Sequence, residues 1–487
     1  MSRGRLHRLL AGLLALSLAG CPVGPDYQRP VKDAGPRYAN AGEVEYKSDG
    51  VENNWWKQFH DRKLTRLIDL AVRNNYDLKA TQANIREARA LFLEAGLNLL
   101  PHVTSHANYI SQHRSFDALN RRNFVPRDLK LYNVGFDTFW EVDVWGQIRR
   151  DIQSREAEVE AAEATRRDLL VIVVAELARN YFELRGHQLQ MDVAKRNAAN
   201  QQATLELTQT RLSAGVGTEF DTARARAQLN TTLATIPPID AIIHQDIHRI
   251  SVLTGQIPGA LYLELLAPEP LPELPEIVHI GRPADLLRRR PDIRVAERDL
   301  ASATARIGVA VGELFPKITF VGTFALESQS FTGLGAAGSG AYSFGPRITW
   351  PAFNIGQVYA RIKAADARAE ATLANYEQIV LNALEETENA LVAYNRVRQR
   401  RELLKQAAAE SMTAYQQGQL RFQEGVESFL NLLDTEKRLL EDQRQYAQSV
   451  TETAASLVAV YKALGGGWEV FENAEDPQKP VERLFTP

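Results

Sequence analysis

Between Tyr132 and Val144 the even positions are apolar, aromatic or threonine (Tyr132, Val134, Phe136, Thr138, Trp140, Val142, Val144). The odd positions include Asn133, Asp137, Glu141 and Asp143. A side-chain period of two is that of a β-strand with one greasy and one wet face. The stretch 342–350 repeats the parity, with Tyr342, Phe344, Pro346, Ile348 and Trp350 against Ser343, Arg347 and Thr349. Two further stretches alternate less regularly. Val103, Ala107 and Tyr109 oppose His102, Thr104, His106 and Asn108, and Ile318, Phe320, Phe324 and Leu326 oppose Lys317, Thr319 and Thr323. The pattern predicts two hairpins, four strands in all.

Each hairpin is followed by a long helical stretch. Between Gly356 and Gly418 there is no glycine or proline, and between Gly146 and Gly215 Gly186 stands alone. These intervals are rich in Ala, Glu, Arg, Gln and Leu, the strongest helix formers. At 1.5 Å per residue they predict rods of roughly 90 to 100 Å. Small apolar positions such as Ala364, Ala365, Ala367, Ala369, Ala371 and Ala374 suit close, coiled-coil-like packing. Gly215 and Gly425 are placed to end the rods and turn the chain into return helices beginning near Thr218 and Val426.

The two halves are copies. Leu131–Phe136 aligns with Ala341–Pro346, Trp140 with Trp350, Gly146 with Gly356 and Gly215 with Gly425, at an offset of 210 residues. Upstream the offset is 215, bringing Asn75–Leu78 onto Arg290–Ile293 and Pro101 onto Pro316. Internal repetition of this kind sets the domain organisation. We divide the chain into a signal peptide (1–20), an N-terminal segment (21–60), repeat 1 (61–257), a Pro-rich linker (258–282), repeat 2 (283–465) and a tail (466–487). Pro258, Pro268, Pro270, Pro272 and Pro275 make the linker extended, since proline cannot continue a helix.

The first twenty residues carry Arg3, Arg5 and Arg8, then an apolar run from Leu9 to Leu18, which is the layout of a secretory signal. Leu18-Ala19-Gly20-Cys21 resembles the bacterial lipobox, in which the cysteine becomes residue one and carries lipid. The alternative is a plain secretory signal and a leftover thiol, but Cys21 is the sole cysteine in 487 residues and stands where the lipobox requires it. Pro22, rather than Asp, after it favours the outer membrane. Loss of the leader leaves 54 Lys plus Arg against 60 Asp plus Glu, a net charge of −6. That balance argues against a nucleic-acid partner. Beyond the leader no run of eighteen apolar residues offers a transmembrane helix, so a membrane would be crossed with strands. Tyr109, Trp145 and Trp350 stand at strand ends, where an interfacial girdle sits. Four strands leave two open edges, so several chains must share a barrel, and three would give twelve strands.

The run Cys21-Pro-Val-Gly-Pro-Asp-Tyr-Gln-Arg-Pro30, the stretch Trp55-Trp56 to Leu78 and the ending Tyr461-Lys-Ala-Leu-Gly-Gly-Gly-Trp468 resemble the outer-membrane efflux lipoproteins of the NodT/OprM group, within the TolC superfamily. The resemblance implies an α+β membrane protein: a homotrimer with a twelve-stranded transmembrane β-barrel, four strands per chain, continued by a long periplasmic α-helical barrel with a mixed equatorial belt. It implies N-palmitoyl and S-diacylglycerol groups on Cys21, and no other cofactor. Partners would be outer-membrane lipid, a periplasmic adaptor (membrane fusion protein) and an inner-membrane RND transporter. The function implied is a passive exit duct of a tripartite efflux system in a Gram-negative bacterium, for drugs, solvents, siderophores or metal ions. A duct for type I protein secretion is the alternative.

The family's constriction at the periplasmic tip matches Gly425-Val426 through Leu433-Asp434. Leu430 becomes an apolar ring and Asp434 an acidic ring, while Asn431 stands at the related acidic position three residues earlier. Three carboxylates about a narrow axis repel one another and attract cations. Alternatively, Asp434 pairs with Lys437 or Arg438 across a helical turn. His244 and His248, spaced i, i+4, share a helix face but lack a third metal ligand of suitable spacing, and Pro237-Pro238 disturb the helix just upstream. His102 and His106 share the wet strand face, where solvation accounts for them. No nucleophile elbow, phosphate loop or paired-carboxylate arrangement suggests an enzyme, and a purely helical adaptor leaves the hairpins unexplained.

Overall fold

The computed structural model describes residues 22–30, 34–40, 46–47, 50–115 and 127–472. Its elements are α1 (Arg62–Asn74), α2 (Tyr76–Leu97), β1 (His102–His113), β2 (Asp128–Val142), α3 (Gln147–Ser213), α4 (Glu219–Leu233) and α5 (Ile236–Leu253). There follow α6 (Pro283–Arg289), α7 (Pro291–Gly312), β3 (Lys317–Ser328), β4 (Gly340–Thr349), α8 (Ile355–Gln423) and α9 (Phe429–Ala463). Helix, hairpin, long helix and return helix thus occur in that order twice.

Local chemistry sets the helix boundaries. Asp61 caps α1 by accepting from the amides of Lys63 and Leu64, and Asn75 caps α2 through Asp77 and Leu78. At the start of α3 the Asp143 carboxylate takes the amides of Ile148 and Arg149, each at 3.0 Å. Helix α3 then runs 67 residues and α8 runs 69, about 100 Å each. Gly186 lies inside α3 where that helix crosses α9. A Cβ there would stand 2.0 Å from the Thr451 hydroxyl, so glycine permits the close approach. The return helix of the first half breaks after Leu233, because Pro237 and Pro238 have no N–H to continue it and instead sit in the first turn of α5.

The main core lies midway along the rods. Trp55, Trp56, Phe59, Leu64, Tyr181, Phe182, Ile247, Tyr394 and Tyr461 pack together there, with Trp55 stacked on Tyr461 at 5.0 Å. Arg185, wholly buried, ties the linker to α3 by donating to the Ala267 carbonyl and the Glu269 carboxylate. The linker is not extended throughout. A short helical turn, Tyr262–Leu265, forms between its first two prolines, and a parallel pairing of Val278–His279 with Tyr46–Lys47 follows. Beyond Gly467, Phe471 stacks on Trp56 at 5.6 Å.

The four longer strands make one antiparallel sheet in the order β1-β2-β3-β4, leaving β1 and β4 as edges. Its register carries the apolar parity across both hairpins. Ser105, Phe136, Phe324 and Tyr342 lie side by side, as do Val103, Thr138, Gly322 and Phe344.

Candidate functional site

Two regions carry the candidate chemistry, the sheet and the far ends of the long helices. On the sheet's apolar face Phe136, Phe324, Tyr342, Phe344 and Ile348 are each more than half exposed in the single chain. A contiguous exposed aromatic face of this kind marks a surface that meets a partner or a membrane. At the end where strands meet helices, two indoles hold equivalent positions. Trp140 Nε1 donates to the Leu99 carbonyl and Trp350 Nε1 to the Leu314 carbonyl, both at 2.9 Å. Trp145 donates to the Pro316 carbonyl and stacks on Phe315. Tyr109 packs on Tyr132 at the opposite end.

The other face is a polar network. His106 Nε2 lies 2.6 Å from Asn133 Oδ1, and Asn133 Nδ2 donates to Glu327. His106 Nδ1 approaches Asp137 within 2.8 Å, and the Thr323 hydroxyl donates to the same carboxylate. Solvation alone therefore does not account for His106. His102 lies 3.3 Å from the Asn98 side chain and is exposed.

At the helical tip both long helices end in the same motif. Gly215 and Gly425 adopt φ of 75° and 77°, in the left-handed region. Val216 N–H donates to the Arg211 carbonyl and Gly215 N–H to Leu212, while Val426 and Gly425 repeat the bonds to Arg421 and Phe422. This Schellman arrangement satisfies carbonyls that would otherwise be orphaned. Thr218 then caps α4 through the Asp221 amide. The second return helix begins later than Val426 suggests: Ser428 caps it through the Asn431 amide, and Phe429 is its first residue.

Leu430 and Asp434, one turn apart, share the exposed face of α9. Leu430 borders a cavity of about 280 Å³ between the two turns, lined also by Thr208, Arg211, Phe422 and Phe429. Neither Lys437 nor Arg438 pairs with Asp434; Arg438 donates instead to Asp442 at 3.0 Å. Asn431 donates its amide to Glu427 at 2.7 Å, and that bond leads the interactions holding the Glu427 carboxyl below its ordinary range. On the opposite side of α9 lies a residue the sequence reading passed over. Glu436 is 3 % exposed, and burial pushes its carboxyl up to about 7. Arg211 is another, since its guanidinium bridges the two turns. The shared offset of 210 residues between Arg211 and Arg421 was the available signal, although the two make different contacts.

Cys21 lies outside the described residues, but the chain after it is held firmly. Val23 N–H donates to the Trp145 carbonyl, and the buried Arg150 donates to the carbonyls of Pro22, Val23 and Gly24 and pairs with Asp26. His244 shares α5 with His248 but bonds to Tyr262 and Asp240, and no group of three His, Cys, Asp or Glu side chains suited to a metal occurs among the described residues. No helix among them is long and apolar enough to cross a membrane.

The fold is that of outer-membrane channels. It matches the outer-membrane channel OprN with a TM-score of 0.86 and 39% identity, over 92% of this chain and 100% of that one. Nodulation protein T of Rhizobium leguminosarum bv. trifolii is 30% identical over 95% of this chain and 98% of its own length. The toluene efflux pump outer membrane protein TtgF of Pseudomonas putida is 29% identical, over 94% and 96%. The family model described as outer membrane efflux protein matches twice, at residues 67–256 and 283–466. The chain belongs to that family, and within it to the NodT/OprM group.

Proposed function

We propose that this outer-membrane efflux channel works as a homotrimer, in which four strands from each chain close a twelve-stranded barrel and the long helices continue it as a tube through the periplasm. The sheet carries this reading: its apolar residues share one face over all four strands, and β1 and β4 each have an unpaired edge. Lipid tolerates no open edge. Antiparallel pairing of β4 in one copy with β1 in the next, made three times, removes them all. Strands of 10 to 15 residues are long enough to span the hydrocarbon. The face bearing His106, Asn133, Asp137 and Glu327 then lines a water-filled lumen.

At the periplasmic tip Leu430 supplies an apolar ring and Asp434 an acidic one, with Asn431 between them and Gly215 and Gly425 turning the helices. Three Asp434 carboxylates without basic partners in their own chains attract cations to the closed mouth and select for them. Cys21 carries N-palmitoyl and S-diacylglycerol groups. Arg150, by gripping residues 22–24 beside Trp145, sets this anchor at the rim of the barrel. The duct is passive and has no catalytic residues. A periplasmic adaptor and an inner-membrane RND transporter deliver small molecules, such as the solvent for which the TtgF pump is named, and supply the energy.

The test is single-channel conductance of the purified protein in a planar bilayer, with Asp434→Ala and Leu430→Ala beside the parent. Small, rarely open currents that grow in both variants support duct and gate together. Unchanged currents move the gate elsewhere, and absence of a pore removes the reading.

A further inference from the structure

The cavity at the tip brings Thr208 of α3, Phe422 of α8 and Phe429 of α9 to one level. Helices α3 and α8 run towards the tip and α9 runs away from it. Seven residues from that level along each helix, on the same face, stand Gln201, Tyr415 and Glu436. All three are buried, at 1 %, 5 % and 3 % exposure, within a cluster that is otherwise apolar (Ala198, Leu205, Leu432, Leu433, Leu439). Thr204 joins them through a hydrogen bond with Tyr415, and Glu436 acts electrostatically on the same phenol.

This polar layer is not satisfied. Gln201 has neither its amide oxygen nor its amide nitrogen hydrogen-bonded, and Glu436 Oε1 is also without a partner. Among the described residues no cation pairs with the carboxylate. On α9 itself Arg438 is engaged by Asp442, and Asp434 and Lys437 point to solvent. Tyr415 is the titratable group facing it from α8, and α3 presents the uncharged Gln201 and Thr204. On α4, which packs on α3, Arg224 lies over the Phe220 ring and Arg226 is exposed. A carboxylate in such a place is stable as the neutral acid and costly as the anion.

We propose that Glu436 is a proton-operated latch for the gate helix: protonated, it lets α9 pack against α3 and α8; ionised, it drives α9 outwards to admit water. Leu430 and Asp434 ride on the same helix, so its displacement carries the constriction with it. The proposal rests on the duct reading above, and it differs from a pH response of the exposed Asp434 ring, which would act by repulsion across the axis. Because burial pushes the Glu436 carboxyl up to about 7, the change of charge falls between pH 6 and pH 8.

The decisive variant is Glu436→Gln, which keeps the shape of the neutral acid. Open probability in a planar bilayer should rise several-fold between pH 6 and pH 8 in the parent and stay at its acid value in Glu436→Gln, while Asp434→Asn should retain the rise. A rise preserved in Glu436→Gln, or lost in Asp434→Asn alone, overturns the latch. Absence of current at any pH counts against the duct, and thermal unfolding then decides the latch by itself. The parent should lose stability relative to Glu436→Gln as pH is raised from 5 to 8, and parallel curves for the two proteins overturn it.

Discussion

The guanidinium of Arg211, on the last turn of α3, donates to the Phe422 carbonyl at 3.2 Å and lies over the Phe422 ring at 4.8 Å. One side chain thereby joins the two helical hairpins at their turns. An exposed cation–π contact contributes about 0.5–1 kcal/mol and a charged hydrogen bond about 1.5–3 kcal/mol. Arg211→Ala should therefore lower stability by about 2–4 kcal/mol and raise open probability. Arg211→Lys should recover only part, because a point cation does not reproduce the planar stack. Equal unfolding midpoints for Arg211→Ala and the parent would show that the bridge does not hold the tip.

Glycine is required at different places for different reasons. At Gly215 and Gly425 an added Cβ meets nothing within 4 Å, so Gly425→Ala should cost only the left-handed backbone term, about 1 kcal/mol. At Gly186 the added carbon collides with Thr451, and Gly186→Ala should cost about 1–3 kcal/mol through overpacking. Combining it with Thr451→Ala should restore part of the loss. Denaturant titration of the single and double variants checks the order, and additivity at Gly186 and Thr451 would contradict the steric explanation.

Arg150 is 3 % exposed and gathers three successive carbonyls. Arg150→Met keeps the volume and removes the donors, stranding those acceptors, at a cost of about 1–3 kcal/mol. Amide exchange should accelerate in residues 22–30 and remain unchanged at the tip. Uniform acceleration through α3 would instead mean that the arginine supports the helix rather than the strap.

Burial, reinforced by Asp292, pushes the carboxyl of Asp168 on α3 up to about 6. A carboxyl whose folded value is raised favours the fold when protonated. Its contribution is complete below about pH 4 and is lost as pH rises through 6. Asp168→Asn should remove that part of the pH dependence, with the variant gaining on the parent from pH 4 to pH 7. Stability curves that stay parallel over this range would exclude Asp168 as the cause.

Much of this architecture was legible because its causes are local. The alternation from Tyr132 to Val144 fixes which side chains share a strand face, and the structure keeps that parity across four strands. Glycine at 215 and 425 stops a helix through its own φ, and Pro237 and Pro238 break one through their missing N–H groups. The linker misled in one part, since a proline-free interval of nine residues, 259–267, was enough for a helical turn at Tyr262–Leu265. At the tip, the i, i+4 spacing of Leu430 and Asp434 puts them on one helix face, their choice as site residues came from the family resemblance, and the structure showed that face to be exposed.

Contacts between distant segments could not be read in this way. Pairing of Asp137 with Thr323, or of Arg211 with Phe422, requires the two halves to be set side by side at one register. The layer of Gln201, Tyr415 and Glu436 exists only because α3, α8 and α9 are rotated to bring three heptad positions together. Sequence alone determined which stretches form rods and strands and how they alternate, because backbone conformation and side-chain period act within a few residues. Only the tertiary structure decided which carboxylate is buried and which is free, because desolvation depends on what neighbouring helices place around a group.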